Sequence, residues 1–335
     1  MKIEQYNQYN SVSNTATKTK GDKLVHVVSF SGGRTSAVLV WLMKIAMERY
    51  GWNVKFLFCD TGVEHPNTYK FIRDIIKFWG IELVILRAKV NPVLGEGNSY
   101  EVYEPKDLMN SAVMEPFQPF MDMMIKYGTP SISGPYCSER MKKDVCQAYC
   151  NDHIGRNNYV TWLGMRSDEP DRLTPKDGIK YLADLLDIEK SDVLRWWKQQ
   201  PFDLDLEEYD GNCIYCVKKS TQKLAAAIRS NPGFFQMWKY KIRDKRVRVK
   251  DGYDPKVMYR GKLSLEGIAA MYDDVTDEEI IESLRGSRGE DIGSCSESCE
   301  GFIPETAIDF DATANKLYQE FEAELGLGQF ELELI

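Results

Sequence analysis

The feature that most constrains the fold is a short apolar run followed at once by a glycine-containing loop and a helix. Residues 24–30 are LVHVVSF, and their β-branched side chains predict a buried strand. The loop SGGRTS follows at 31–36, and AVLVWLMKIAMERY then places apolar residues at helical spacing up to residue 50. This order predicts the first strand–helix unit of an α/β domain.

Strands and helices continue to alternate along the chain. Pro66 begins a helix that Gly80 ends, as first-turn proline and terminal glycine commonly do. Between 91 and 135 the pattern breaks down, and we interpret that stretch as long loops around one helix near 118–127. Three more runs have the composition of buried strands: VKFLFCD at 54–60, IELVIL at 81–86 and NYVTWLG at 158–164. The alternation predicts a Rossmann-like, mostly parallel sheet with helices on both faces.

We predict that the chain has three parts. Residues 1–23 are polar and rich in Ser, Thr and Asn, which is typical of a mobile arm. Residues 24–200 form the α/β domain, with SDVLRWWKQQ at 191–200 as its last helix or a connector. Residues 201–335 form a mainly helical module that contains a CxxC and a CxxxC and includes the amphipathic helix ATANKLYQEFEAELG.

The composition argues against several classes of protein. The chain has 335 residues, of which 43% are hydrophobic and 28% charged, as in ordinary globular proteins. It has neither a membrane-spanning apolar run nor an N-terminal secretory signal, so we expect a cytoplasmic protein without membrane contact. A net charge of −8 argues against a wholly basic nucleic-acid binder. Three histidines leave little material for His-based chemistry, and eight cysteines without an export signal favour metal or redox roles.

The loop at 31–36 is a candidate phosphate site. Glycines let the backbone approach an anion closely, and the N-terminus of the following helix presents N–H groups with a partial positive charge. Arg34 would add a guanidinium fork. The alternative is a plain strand-to-helix turn, with Thr35 or Ser36 capping the helix. The strand–loop–helix setting favours the phosphate interpretation, although the loop is not a Walker A motif. The candidate ligands are Ser31, Gly32, Gly33, Arg34, Thr35 and Ser36.

Four segments resemble a known family. SFSGGRTSA at 29–37 resembles the PP-loop, SGGxxS, of the ATP pyrophosphatase and phosphoadenosine phosphosulfate (PAPS) reductase superfamily. Three more segments resemble that family's motifs in the family's order: FCDTGVEHPNT at 58–68, YCSERMKK at 136–143 and LGMRSDEPDR at 163–172. The match covers about residues 24 to 175. The chain therefore resembles the PAPS reductase family of PP-loop proteins.

The resemblance implies an adenine nucleotide (PAPS, APS or ATP) at the carboxyl ends of the strands, with Mg²⁺ as a further candidate cofactor. The loop residues 31–36 would hold the phosphates. Further residues beside the nucleotide or its phosphate and sulfate oxygens would be Asp60, Thr61, Gly62, Arg166 and Arg172. The catalytic candidates are Cys137, Lys142 and Arg166. The chain departs from its relatives at two points. Thr35 stands where many PP-loop ATPases have Asp, and the reductases' C-terminal Glu-Cys-Gly motif is absent.

Two cysteine pairs predict a metal site. Cys213 and Cys216 form a CxxC, and Cys295 and Cys299 form a CxxxC. Four thiolates suit tetrahedral zinc or an iron–sulfur cluster. In the sulfonucleotide reductases that carry a [4Fe–4S] cluster, a Cys pair lies near the position of Cys137, where Tyr136 replaces one member. That resemblance implies Cys137, Cys213 and Cys216 as three ligands, with Cys295 or Cys299 as the fourth.

We favour a [4Fe–4S] cluster over Zn²⁺ as the occupant of that site. Cys137 would be either a ligand or the nucleophile, and we expect nearby Arg and Lys to lower its pKa. The alternative for the whole set is that these are free buried cysteines. We predict that Cys59, Cys146 and Cys150 are core residues.

A basic stripe lies between residues 239 and 250, with Trp238 and Tyr240 at its edge. Its members are Lys239, Lys241, Arg243, Lys245, Arg246, Arg248 and Lys250. The stripe would suit nucleic-acid phosphates with aromatic stacking beside them. The alternative, which we favour given the acidic total charge, is a solvated surface or a charge-protected edge strand.

Three functions follow from these features. The first is a PAPS reductase-like enzyme that transfers or reduces sulfur, with a thioredoxin-like protein or a cysteine desulfurase as its reductant or sulfur donor. The second is an ATP pyrophosphatase that adenylates and thiolates tRNA or DNA through the basic stripe. The third is a catalytically inactive nucleotide-binding regulator, which the missing Glu-Cys-Gly motif would fit.

Overall fold

The computed structural model describes residues 24–211, 213–249, 258, 260 and 263–286. The predicted N-terminal arm at 1–23, the cysteines Cys295 and Cys299, and the predicted C-terminal helix at 312–326 lie outside the described residues. None of the helices within the described ranges is long and apolar enough to cross a membrane.

One sheet organises the described part of the chain. Its strands are β1 (Val25–Phe30), β2 (Asn53–Cys59), β3 (Leu83–Lys89), β4 (Ser99–Tyr103), β5 (Tyr159–Leu163) and β6 (Ile179–Tyr181), in the order β4-β3-β2-β1-β5-β6. β1 pairs in parallel with both β2 and β5, and only β4 is antiparallel to its neighbour β3. The prediction of a mostly parallel α/β sheet is confirmed.

Helices connect and cover these strands. They are α1 (Arg34–Tyr50), α2 (Pro66–Trp79), α3 (Phe120–Tyr127), α4 (Asp144–His153), α5 (Leu182–Leu185), α6 (Lys190–Trp197), α7 (Thr221–Ser230), α8 (Pro232–Ile242), α9 (Leu265–Ala270) and α10 (Asp277–Gly286). A π-helical turn, Cys137–Lys143, leads directly into α4. α2 begins where predicted, because the His65 ring accepts a hydrogen bond from the Asn67 amide, and it ends at Gly80 in the left-handed conformation.

The interpretation of 91–135 as loops around one helix was incomplete. Residues 99–103, SYEVY, form the antiparallel edge strand β4, whose side chains are at most half-buried and include the exposed Val102. An edge strand outside the apolar core lacks the buried run that identified the inner strands. The three-residue strand β6 was missed for a similar reason, because it is too short to show a pattern.

The two faces of the sheet carry different cores. Alternate residues of each strand point to opposite faces, so Val28 and Phe58 lie on one side and Val27 and Cys59 on the other. The aromatic face, packed under α1, α2 and α6, contains the tryptophans Trp52, Trp79, Trp162, Trp196 and Trp197. The sulfur face, packed under α3, α4 and the chain beyond residue 213, contains Cys59, Met121, Met123, Met124, Met141, Cys150 and Met258.

The core of the sulfur face extends past the predicted boundary at residue 200. Ile214, Leu224, Trp238 and Ile268 pack into the same cluster as Val27 of β1. The described residues beyond 213 therefore share their hydrophobic core with the sheet. The division of the chain at residue 200 stays a prediction.

Candidate functional site

The PP-loop connects β1 to α1 at the carboxyl end of the sheet. Gly32 has a φ of +83°, and a Cβ there would lie 2.6 Å from the Cγ2 of Thr68, so the position requires glycine. The Ser31 and Ser36 hydroxyl oxygens lie 2.8 Å apart, and Ser36 donates to the Gly33 carbonyl oxygen at 2.9 Å. Gly33 is the N-cap of α1, with no side-chain cap. The alternative in which Thr35 or Ser36 caps the helix is therefore wrong.

The loop after β5 packs directly against the PP-loop. β1 lies between β2 and β5, so the chain changes direction across the sheet at β1, and open α/β sheets bind ligands at such a point. A Cβ on Gly164, just after β5, would lie 2.6 Å from the Cα of Ser36. Two segments that are far apart in sequence therefore lie side by side at the same edge of the crevice. They are residues 31–36 and 163–172.

Arg166 joins these two segments. Its side chain is buried and donates to the Thr35 hydroxyl at 3.2 Å and to both carboxylate oxygens of Asp168 at 2.8 and 3.3 Å. The Glu169 carboxylate lies 3.6 Å from the Arg166 guanidinium and also forms an ion pair with Arg172. Arg166 is thus held by fixed partners beside the PP-loop.

Two residues near the PP-loop and Arg166 have buried hydroxyls. The Oγ1 of Thr68, whose methyl group faces Gly32, is buried and has no hydrogen-bond partner among the described residues. The same holds for the Oγ of Ser167, which follows Arg166. A buried hydroxyl without a partner loses about 1–3 kcal/mol, so such groups call for a ligand or a water. Thr68 adjoins the glycine loop and Ser167 follows Arg166, so both hydroxyls are candidates for contact with an oxygen-rich ligand.

Arg34 has structural partners away from the loop. Its Nε lies 2.7 Å from Asp203, and it also donates to the Leu204 carbonyl oxygen. The Trp197 indole donates to the Arg34 carbonyl oxygen at 3.1 Å. These contacts anchor the first turn of α1 to the segment after α6. Phosphate binding by Arg34 stays a prediction that would require the arginine to exchange partners.

Asp60, the first residue after β2, is completely buried. It accepts hydrogen bonds from Arg87 at 2.6 Å, Tyr69 at 2.7 Å and the Gly62 amide at 2.9 Å. Burial raises its pKa to about 7, the charge of Glu64 adds to this rise, and Arg87 opposes it. Asp60 therefore orders the turn that carries Thr61 and Gly62.

Glu64 lies where the segment after β2 meets Cys213 of the CxxC, and sequence reasoning gave it no role. Its carboxylate accepts from the Thr61 hydroxyl at 2.7 Å and lies 3.7 Å from the Lys142 ammonium and 3.9 Å from the Cys213 sulfur. The Glu64 and Cys213 backbones pair as an isolated antiparallel bridge. Burial tends to raise the pKa of Glu64, but Lys142 and the Thr61 hydrogen bonds lower it overall. The sequence could have identified Glu64 by its position within the DTGVEHP segment, which resembles a family motif.

The charge of Cys216 affects the pKa of both Cys137 and Cys213. Burial raises the pKa of Cys137 to about 12, and the charge of Cys216 adds to this. Burial, and then the charge of Glu64, also raise the pKa of Cys213. The expectation that nearby cations would lower the pKa of Cys137 was wrong, because burial outweighs Lys142 and Lys218.

Within the described ranges, no group of three or more His, Cys, Asp or Glu side chains is already arranged to hold a metal ion. The donor set nevertheless has the right chemistry, since thiols lose their protons to a bound metal.

A buried lysine fixes the CxxC loop. The Lys219 ammonium donates to the Ile214 carbonyl oxygen at 2.9 Å and to the Tyr209 carbonyl oxygen at 2.5 Å. Burial lowers its pKa to about 8, although the neighbouring Cys216 and Asp210 act in the opposite direction. The loop therefore has a firm anchor and a positive charge behind its two thiols.

The basic stripe lies on α8 and the segment after it. Tyr240 is 74% exposed, whereas Trp238 is 1% exposed and packs on Phe117 and Tyr215. Trp238 is therefore a core residue and cannot stack on a base. Two of the stripe's exposed arginines are paired: Arg243 with Glu266 at 2.6 Å and Arg246 with Asp244 at 2.7 Å. Lys250 lies outside the described residues.

The fold and the loop after β1 define the chain as a PP-loop α/β protein. The family model for the phosphoadenosine phosphosulfate reductase domain matches residues 25–114. The chain is 49% identical over 288 residues to the uncharacterized nin region protein ORF290 of Escherichia phage lambda, covering 86% of this chain and 98% of that protein. It is 23% identical over 277 residues to the uncharacterized protein MJ0066 of Methanocaldococcus jannaschii, covering 78% of this chain and half of that protein. The chain belongs to the PAPS reductase family of the PP-loop superfamily.

Proposed function

We propose that this protein is an enzyme that binds an adenine nucleotide at the PP-loop and transfers or reduces sulfur with a cysteine-ligated metal site beside it. One observation carries the proposal: Cys213 of the CxxC lies 3.6 Å from the hydroxyl of Thr61, in the segment that follows β2. The backbone bridge between Glu64 and Cys213 keeps the two motifs together. Chemistry at a thiol or metal site can therefore reach a group held at the nucleotide site.

The nucleotide would lie along the carboxyl ends of β1, β2 and β5. The positive end of α1 and the Gly32–Gly33 backbone would hold its phosphates. The orphan hydroxyls of Thr68 and Ser167 would find an acceptor in the bound molecule. Arg166 would face the phosphate or sulfate oxygens, since it already lies against Thr35. Fixed donors of this kind stabilise an anion that leaves or transfers.

The metal ligands would be Cys137, Cys213 and Cys216, with Cys295 or Cys299 as the fourth. A [4Fe–4S] cluster there would supply redox chemistry close to the nucleotide, whereas Zn²⁺ would give the module a structural centre. The Lys142 ammonium, 3.7 Å from Glu64, would supply a positive charge close to the group that reacts. If Cys137 is instead the nucleophile, it must first lose the proton that burial makes it keep.

A paired measurement tests the proposal. The full chain, purified without oxygen, is assayed for iron, acid-labile sulfide and zinc, and for binding of ATP, APS and PAPS by calorimetry. We expect bound metal in the wild type and in Cys150→Ser, a buried thiol outside the ligand set, and its loss in Cys213→Ser. Metal-free wild-type protein, or equal metal in both variants, would refute the metal site. Absence of binding for all three nucleotides would refute the nucleotide site.

A second candidate function is ATP-dependent modification of tRNA or DNA. The exposed Tyr240, with the exposed Arg243, Lys245 and Arg248 nearby in the chain, supports it. Pyrophosphate release from ATP that depends on added nucleic acid, and that falls in Tyr240→Ala, would favour it over sulfonucleotide chemistry. The regulatory alternative requires nucleotide binding without turnover. Turnover with a thioredoxin-like reductant or a cysteine desulfurase would exclude it.

A further inference from the structure

We propose that Cys59 and Cys146 form an oxidisable dithiol, a disulfide site separate from the three thiols of the proposed metal centre. Their sulfur atoms lie 3.0 Å apart, in mutual hydrogen-bond contact. A disulfide has a sulfur–sulfur distance of about 2.05 Å, so the bond needs a closing movement of roughly 1 Å. The sequence patterns predicted two unrelated core cysteines here, 87 positions apart.

The two residues sit on elements that already touch. Cys59 is the last residue of β2 and is buried, while Cys146 lies on α4 and is partly exposed. α4 packs against β2, β3 and β4, so no rearrangement of the fold is needed to bring the thiols together. Cys150, one helical turn beyond Cys146 and almost completely buried, provides a thiol of the same helix for comparison.

The chemistry can be balanced with hydrogen peroxide as the oxidant. The more exposed Cys146 thiol attacks peroxide and becomes a sulfenic acid, releasing one water. The Cys59 sulfur then attacks the Cys146 sulfur, the sulfur–oxygen bond breaks, and the hydroxide leaves as water with the Cys59 proton. The two thiols lose two electrons and peroxide gains them. The hydrogen bond between Cys59 and Cys146, together with burial, keeps the pKa of Cys59 well above its usual value, so Cys59 reacts second.

The position of the bond connects it to the nucleotide site. Cys59 directly precedes Asp60, and its thiol donates to the Lys142 carbonyl oxygen at 3.6 Å. α4 is the direct continuation of the π-helical turn that carries Cys137 and Lys142. A disulfide removes the Cys59 proton from that hydrogen bond and pulls α4 toward β2. We therefore expect weaker nucleotide binding in the oxidised protein, a consequence that rests on the proposed function.

Peptide mapping tests the dithiol without any assumption about nucleotides. The full chain is purified with a reductant, freed of it and treated with hydrogen peroxide; remaining thiols are then alkylated, and the protein is digested without reduction. We expect a peptide pair joined through Cys59 and Cys146 that dithiothreitol separates. Cys150→Ser should keep this pair, and Cys146→Ser should lose it.

Other outcomes overturn the proposal. A wild-type map with Cys59 and Cys146 both alkylated, or with Cys146 joined to Cys150 instead, would do so. A Cys59–Cys146 pair persisting in Cys150→Ser excludes exchange through the third thiol. Nucleotide affinity is then compared between the oxidised and reduced forms of Cys150→Ser. We expect a loss of about tenfold on oxidation. An unchanged affinity would overturn the connection to the nucleotide site and leave the disulfide standing.

Discussion

The two faces of the sheet differ in chemistry as well as in composition. On the aromatic face, Trp41, Trp79, Trp196 and Trp197 contact one another with ring centroids 4.8 to 6.3 Å apart. On the sulfur face, Cys59 of β2 packs with Cys150 of α4, and Cys137, Cys146 and Cys213 pack at the edge of the same core. Large rigid rings contribute much buried area per residue, whereas thiols contribute little packing and much reactivity.

The difference suggests a division of work between the faces. The aromatic face would stabilise the strands and α1, and so fix the two elements that the PP-loop connects. The sulfur face would carry the groups that react. On this division, substitutions on the aromatic face should change stability more than chemistry, and substitutions on the sulfur face should change chemistry more than stability. Four substitutions test this division, from the largest expected change in free energy of unfolding or binding to the smallest.

The largest effect is expected at Trp79, near the end of α2. Trp79→Ala removes a buried indole that contacts Trp41, Trp196 and Trp197. We expect the free energy of unfolding to fall by about 4 kcal/mol, because truncation of a buried aromatic leaves a cavity. Urea unfolding measures it, with Trp79→Phe as the milder control. Metal content of the folded protein should be unchanged; a loss of metal would break the division between the faces.

The second largest effect expected is a pH dependence of the free energy of unfolding, caused by His26. Its ring accepts from the Trp162 indole at 3.0 Å and stacks on Trp52, and burial lowers its pKa to about 4. The unfolded state therefore binds more protons than the folded state between pH 6.5 and 4, so stability falls as the pH falls through that window. We expect the free energy of unfolding to fall by about 3 kcal/mol across this window because of His26.

The control for that pH dependence is His26→Gln, which keeps an acceptor for Trp162 but does not titrate. Unfolding free energies of both proteins are measured from pH 7 to pH 4. The difference between the two proteins should change with pH by the stated amount. Parallel curves for wild type and variant would show that His26 does not carry this dependence.

A smaller effect is expected at Gly32. Gly32→Ala forces a side chain into the left-handed region and against Thr68. The loop must move, and we expect adenine nucleotide affinity to fall about 30-fold, or about 2 kcal/mol. Gly80→Ala is the matched control, since its φ is also positive (+65°) but a Cβ there meets nothing within 4 Å. Equal nucleotide affinity in both variants would contradict a role for the Gly32 conformation.

The smallest effect on stability is expected at Cys137. Cys137→Ser exchanges one small, partly exposed group for another, so the free energy of unfolding of the metal-free protein should change by less than about 1 kcal/mol. Bound metal should nevertheless be lost from the protein purified without oxygen. Elemental analysis and urea unfolding are done on the same preparation. A large loss of stability with metal retained would reverse the roles assigned to the sulfur face.

Local features were predictable from the sequence and long-range ones were not. The strand, loop and helix around residues 25–50 are consecutive, so period and glycine content reveal them directly. The contact between Glu64 and Cys213 joins residues 149 positions apart, and no local pattern encodes it. Family motifs indicated which segments matter, and the fold was needed to show which segments touch.

Burial explains why one expectation was wrong and why one candidate stacking residue is unavailable. Cys137 has lysines nearby in sequence, but its pKa depends on how much water the fold removes around it. Trp238 stands in a basic stripe, yet its ring faces Phe117 and Phe120 in the core. In both cases the sequence showed the neighbours along the chain, while the decisive neighbours came from other elements.

The pairing of β1 with β5 has a consequence for synthesis on the ribosome. The PP-loop is made early, but Val25 pairs with Tyr159, and Thr35 meets Arg166, 131 positions later. At about 5–20 residues per second, the emerging chain spends on the order of ten seconds with β1 lacking its second neighbour. Nucleotide can stabilise the nascent protein only after that interval, so the early segment must avoid other pairings unaided.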